Sequence, residues 1–236
     1  MNNTVFILVF LLGIIAGAIG YQNIIIKPDY ISIAGIIILI FFMLFISLLI
    51  KRLMNNLDKA YELLETNSTT DDLTGVFNRN NFYNQFEKEL TRCIRYKRKI
   101  CCLMIDIDFF SKLNDQYGNQ TGNEILREMA EMIKDNLRAS DIVARYDSNR
   151  FICIMPETDL DSALLLSKRL RVLVEGANFS IDYTGKAIQL TISIGVTSWK
   201  PAIDKDIDVD KMINLAEKAL FLAKENGRNR VECYII

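Results

Sequence analysis

Two nearly charge-free apolar runs, residues 4–21 and 31–50, constrain this chain more than any other feature. Each is close to the roughly 20 residues that a helix needs to cross a bilayer. The segment between them, Gln22 to Tyr30, carries only Lys27, Pro28 and Asp29 as breaking or charged residues and is too short to fold on its own. A cleaved signal peptide requires a basic start, and Met1-Asn2-Asn3 has none; a second run also follows. The pattern predicts a two-helix transmembrane hairpin over residues 1–50. Lys51, Arg52 and Lys59 follow the second run. The positive-inside bias therefore places the C-terminal part, and the N-terminus with it, in the cytoplasm.

Between Lys51 and Glu65, Leu53, Leu57, Ala60 and Leu64 recur at steps of four, three and four. This is a heptad stripe about two repeats long. It predicts a linker or stalk helix over 51–70, either a plain amphipathic stalk or a parallel dimer seam. Asn67-Ser68-Thr69-Thr70 breaks the pattern, and the boundary of a cytoplasmic domain, 71–236, is placed there.

Composition excludes several classes of function. The net charge is -1, with 28 basic and 29 acidic residues, which gives no electrostatic footprint for a nucleic-acid partner. Five cysteines with no CxxC spacing, and no histidine, argue against a disulfide framework or a zinc site. Cys101, Cys102 and Cys153 lie in apolar runs and read as small buried hydrophobes. Chemistry must then use carboxylates, Lys, Arg or a hard cation such as Mg²⁺.

Periodicity after Asp71 predicts helices near 79–97, 121–138, 159–175 and 209–226. It predicts strands near 99–107, 142–146, 150–155, 187–196 and 230–235, with a further edge strand at 178–183. Cys101 to Ile105 is a continuous apolar run, as expected of a central strand buried on both faces. Tyr146-Asp147-Ser148-Asn149 is turn chemistry between two apolar runs, hence a hairpin. The mixture predicts a two-layer α/β (α+β) sheet with packed helices. Asp106 and Asp108 lie at the C-terminal end of the central strand on one face. A loop holding Phe109, Phe110 and Ser111 follows. Two carboxylates beside free backbone amides form either a solvated strand end or an Mg²⁺–phosphate site.

Several motifs in order resemble those of the GGDEF (diguanylate cyclase) family. They are Asp71-Asp72-Leu73-Thr74-Gly75 with Asn78-Arg79, and Asp106-Ile107-Asp108-Phe109-Phe110 with Asn114-Asp115, Gly118 and Gly122. Ile192 to Val196, Ala216 to Lys224 and Gly227-Arg228-Asn229-Arg230-Val231 complete them. The resemblance implies a cyclase/ferredoxin-like palm with a mixed central sheet and flanking helices, on the cytoplasmic side of a bacterial inner membrane. It implies that two GTP molecules, one per subunit of a dimer, condense to cyclic di-GMP with two Mg²⁺. Carried over by position, Asp106 and the Ile107 carbonyl would be metal ligands, Asn114 would read guanine, and Lys224 and Arg228 would hold phosphates.

The signature itself is altered. The name-giving motif falls on Asp147-Ser148-Asn149-Arg150-Phe151, where only Phe151 matches. Asn149 stands where a metal-binding carboxylate is expected; an amide carries no charge and is no base. Arg150 reverses the charge of the next acid. A unit charge about 4 Å from a dication interacts by roughly 8 kcal/mol at an effective dielectric near 20. Ser111 replaces the usual Lys, with Lys112 adjacent; Asn119 replaces a His, and Asn123 an Asp that accepts from guanine. Together these imply a fold kept and two-metal chemistry lost.

Arg138-Ala139-Ser140-Asp141 matches the family's inhibitory RxxD, which binds product cyclic di-GMP. The other reading is a basic helix end followed by a turn. Arg169 or Arg171 could add a contact. Three functions compete. One is a regulator that binds cyclic di-GMP or GTP and signals to a dimer mate, a second copy or another GGDEF/EAL protein. A second is a weak diguanylate cyclase using Mg²⁺. The third is a membrane scaffold with no nucleotide.

Overall fold

The computed structural model describes residues 28–181, 187–200 and 207–235. The first predicted membrane run lies outside them. Contacts divide the chain into two units, between Leu64 and Glu65.

In the first unit, helix α1 (Pro28–Asn67) is continuous for 40 residues. Proline suits a first helical position because its missing N–H would be unpaired there anyway. The helix thus begins inside the segment expected to link two spans, and no break separates span from stalk. Ile37–Asn56 is the one stretch among the described residues long and apolar enough to cross a membrane. Its large side chains, Leu39, Phe41 and Leu48 among them, are exposed.

The second unit is built on a five-stranded sheet in the order β2-β3-β1-β6-β7. Its elements are α2 (Arg79–Tyr96), β1 (Ile100–Ile107), α3 (Phe110–Asn136), β2 (Ile142–Arg145), β3 (Arg150–Pro156) and α4 (Leu160–Gly176). A separate hairpin follows, β4 (Phe179–Ile181) with β5 (Ala187–Ile188), then β6 (Ile192–Trp199), α5 (Val209–Glu225) and β7 (Val231–Ile235). All pairings in the main sheet are antiparallel except β6 with β7. This is the mixed sheet with flanking helices that the sequence implied.

Alternation along β1 divides the core. Cys101, Leu103, Ile105 and Ile107 pack with Leu126, Met129 and Ile133 of α3 and Leu170 and Val174 of α4. Ile100, Cys102 and Met104 face Phe82 and Phe86 of α2 and Met212, Ile213 and Ala216 of α5. Helices therefore cover both faces, giving three layers where two were expected. A strand buried on both faces must be apolar at every position, as β1 is down to Asp106. Burial raises the thiol pKa of Cys101 to about 12 and raises those of Cys102 and Cys153 as well. These cysteines act as packing groups.

Two elements differ from the periodicity reading. Helix α3 starts at Phe110, not near 121, with a break at Gly118, φ 84° and ψ 159°. Residues 110–117 mix polar and apolar side chains, so no period marks them, and the loop expected at Phe109–Ser111 is helical from Phe110 onward. Only Asp108 and Phe109 separate β1 from α3. The expected strand 187–196 is two strands: β5 pairs with β4, and β6 begins at Ile192.

Gly195 of β6 sets how close α5 lies. A Cβ there would overlap the Ala216 carbonyl oxygen and the Leu220 nitrogen, both backbone atoms of α5. Backbone cannot step aside as a side-chain tip can. Gly195→Ala is expected to cost about 3 kcal/mol or more by overpacking, read as a lower urea midpoint of the detergent-solubilised chain.

Candidate functional site

The site gathers at the C-terminal end of β1. Asp106 is buried, and Lys224, in the last turn of α5, places its Nζ 2.7 Å from Asp106 Oδ2. The closeness of α5 at Gly195 makes that reach available. Burial raises the Asp106 pKa, and the Lys224 ammonium offsets part of the rise. Asp108 is equally buried and fully engaged. Its carboxylate accepts from Thr191 Oγ1 at 2.7 Å, Ser193 Oγ at 2.7 Å and the Asn229 amide at 3.0 Å. The reading of this strand end as a solvated terminus is corrected: both acids are enclosed.

The altered hairpin is held by its own residues. Arg150 pairs across the sheet with Asp106 in register. Its guanidinium Nε donates to Asp147 Oδ2 at 2.6 Å, Nη2 also meets that carboxylate, and Nη1 donates to Glu217 Oε1 at 3.0 Å. Burial works against its charge, but Asp147 and Glu217 outweigh that and raise its pKa. Tyr146 lies between two guanidinium groups, Arg79 at 4.5 Å and Arg150 at 5.2 Å from its ring centroid. Burial lifts its phenol to about 12. Arg145 donates to the carbonyls of Asp147 at 3.2 Å and Ser148 at 2.8 Å, and its Nη1 lies 3.3 Å from Asp71.

Glycine at 147 or 148 is therefore not needed for backbone shape here. Among the described residues, the non-glycine residues at positive φ are Lys97, Phe109, Glu157, Arg228 and Asn229, and the hairpin is not among them. The charge brought by Arg150 is already met by Asp147 and Glu217. The sequence contained a signal for this: the first and fourth motif positions change to opposite signs three residues apart. Glu217, 67 residues away, could not be read as the third member.

Mg²⁺ can be tested against these residues. Asp106 is paired to Lys224, Asn149 Oδ1 accepts from Ser148 at 3.0 Å, and Arg150 is engaged elsewhere. Among the described residues no group of three or more His, Cys, Asp or Glu could hold a metal ion. The donor set does not fit a pair of dications. Ile107, whose carbonyl was expected to be a ligand, lies at the end of β1 with its N–H 3.5 Å from the Asn149 carbonyl.

The remaining expected residues fall in three places. Asn114, on the first segment of α3, packs against Gly122, where a Cβ would overlap its side chain. Its Oδ1 is buried without a hydrogen-bond partner, a cost that a donor from a bound base would remove. Asn119 and Asn123 are exposed on the same helix, as are Ser111 and Lys112. Arg228 lies with its guanidinium 4.6 Å from the Phe109 centroid, and Lys112 lies 5.1 Å from the same ring.

Arg138, Asp141 and Arg169 line a groove of about 800 Å³ with Leu165, Val172 and Leu173 of α4. Asp141 Oδ2 accepts from the Arg138 amide at 3.0 Å, and Arg138 is exposed. Arg169 donates to the Asn136 carbonyl at 3.0 Å. Arg171 does not join this groove; it bonds Glu175 and Asn229 on another side of α4.

A mixed sheet covered by helices on both faces, with two buried acids and Lys224 at the end of its central strand, has the form of a nucleotide-cyclase-like domain. Residues 68–230 match the family model described as diguanylate cyclase, GGDEF domain, and the chain belongs to that family. It is 37% identical over 179 residues to the response regulator PleD of Caulobacter vibrioides, covering 76% of this chain and 38% of that protein. It is 38% identical over 173 residues to diguanylate cyclase A of Treponema denticola, covering 72% of this chain and 45% of that protein. The chain thus spans less than half the length of these curated relatives. Among solved structures, the GGDEF domain of DgcB from Caulobacter crescentus in complex with c-di-GMP superposes with a TM-score of 0.66. The two are 28% identical, over 71% of this chain and 96% of that one.

The charge exchange gives a direct test. Arg150→Glu alone sets a third acid beside Asp147 and Glu217, whereas Asp147→Gly with Arg150→Glu relieves one repulsion. In urea unfolding the double variant is expected to be more stable than the single one by about 1 kcal/mol, after discounting for solvent.

Proposed function

We propose that this chain is a membrane-anchored regulator of cyclic di-GMP signalling, whose GGDEF domain binds the dinucleotide but does not make it. One observation carries the reading. The substituted motif residues are spent on one another, Arg150 on Asp147 and Glu217, while the Arg138–Asp141 groove, at the other end of the β2–β3 pair, stays open. A guanidinium can fork onto phosphate or guanine, and a carboxylate can accept from guanine N–H groups. The likeness to a domain solved with c-di-GMP supports the same ligand class.

In this reading residues 1–50 form a two-helix membrane hairpin, 51–70 a stalk, and 71–236 a cytoplasmic domain at the bacterial inner membrane. The long apolar stretch of α1 supports an anchor. Asn149 and Arg150 are former catalytic positions, and Asp106 and Ile107 former metal positions. Asn114, Asn119, Asn123, Lys224 and Arg228 are the nucleotide-facing set through which GTP can bind. Partners are a second copy or another GGDEF/EAL protein.

A weak cyclase is the second reading, favoured by the buried, unpartnered Asn114 Oδ1, which suits a guanine donor. Incubating the purified full chain with GTP and Mg²⁺ or Mn²⁺ separates the two; clear formation of cyclic di-GMP overturns the inactive reading. Calorimetry with cyclic di-GMP addresses the groove. Arg138→Ala is expected to weaken binding at least about tenfold, the loss of one charge-assisted hydrogen-bonding group; equal binding by both forms removes this groove. A reporter fused after Ile236 is expected to score as cytoplasmic, and a periplasmic signal sinks the topology.

A further inference from the structure

The α5–β7 loop has an unusual backbone. Gly227, Arg228 and Asn229 follow one another at φ 113°, 62° and 45°. Glycine adopts such angles freely; residues with a Cβ do so only when the surroundings over-determine them. The surroundings here can be named. The Arg228 amide donates to the Ala223 carbonyl at 3.0 Å, closing the end of α5. The Asn229 amide donates to Asp108 Oδ2, the buried acid at the end of β1. The Asn229 side chain bridges to α4: its Oδ1 accepts from Arg171 at 2.9 Å and its Nδ2 donates to Glu175 at 2.7 Å. Arg171 and Glu175 are themselves paired at 2.7 Å.

We infer that Asn229, whose side chain ties the loop to α4, is a positioning residue that holds Arg228 over the Phe109 ring, where an anionic phosphate is received. Arg228 sits between two fixed residues, and its guanidinium faces an aromatic ring that is half exposed and itself left-handed, φ 57°. Lys112 lies against the same ring. Two cations against one aromatic ring make a local positive patch suited to phosphate oxygens. The direction of Arg228 is set by the loop, and the loop by Asn229. Asp108 supplies the charge that three donors share, a role distinct from metal binding. This inference rests on the reading of Arg228 as phosphate-holding.

The test is a double-variant cycle on the full chain in detergent, with GTP affinity measured by calorimetry. Asn229→Gly is chosen because it keeps the left-handed backbone and removes only the bridge to α4. Arg228→Ala is expected to weaken GTP binding about tenfold and Asn229→Gly about threefold, with the pair together no worse than Arg228→Ala alone. Additive losses, or a loss for Arg228→Ala with none for Asn229→Gly, overturn the inference and leave the phosphate reading standing. If Arg228→Ala or the unaltered chain shows no GTP-dependent difference, the phosphate reading fails instead. The positioning is then decided by NMR of arginine-labelled chain. The Arg228 δ-protons are expected to be shifted upfield by the Phe109 ring, and the shift to vanish in Asn229→Gly. An unchanged shift in that variant sinks the inference whether or not GTP binds.

Discussion

The approach of α5 to β6 across Gly195 governs where the charged groups of this domain lie. With no side chain at that point, the helix backbone rests on the strand backbone, and its last turn delivers Lys224 to Asp106. A helix standing off by one methyl group would leave Asp106 buried without its cation. Isolated buried carboxylates are among the costliest groups a fold can carry. Glu217, about two turns earlier on α5, reaches Arg150 by the same placement. The packing of one glycine thus fixes two ion pairs.

Those pairs balance the charges of a cyclase-like site whose signature positions are not acidic. In a metal-dependent site, cations arriving from solution balance clustered acids. Here the balance is internal: ammonium against Asp106, guanidinium against Asp147 and Glu217. Asp108 is balanced by hydrogen-bond donors alone. The core beneath is unaffected, since β1 is apolar on both faces up to Asp106.

Much of this was legible in the residues. The apolar run Cys101–Ile105 announced a doubly covered strand, and the helical periods of α4 and α5 and the turn at 146–149 were read as they stand. The ordered motifs named the family, and two residues they single out, Asp106 and Lys224, form an ion pair. What escaped notice did so for physical reasons. The first segment of α3 is short, polar and closed by Gly118, so it lacks a stripe long enough to show a period. The second apolar layer became visible only in three dimensions, because α2 and α5 are 113 residues apart at their nearest ends (96 to 209). Arg150 was read as a bare repulsive charge, since its partner Glu217 lies far along the chain. Arg171 and Arg169 are two residues apart, and a helix sends such neighbours to different sides.

The pairing of Asp147 with Arg150, and of Arg150 with Glu217, also makes these three positions one unit. A change at Arg150 alone leaves two acids facing each other, so the hairpin's tolerance to substitution is set by combinations of positions and not by any single one.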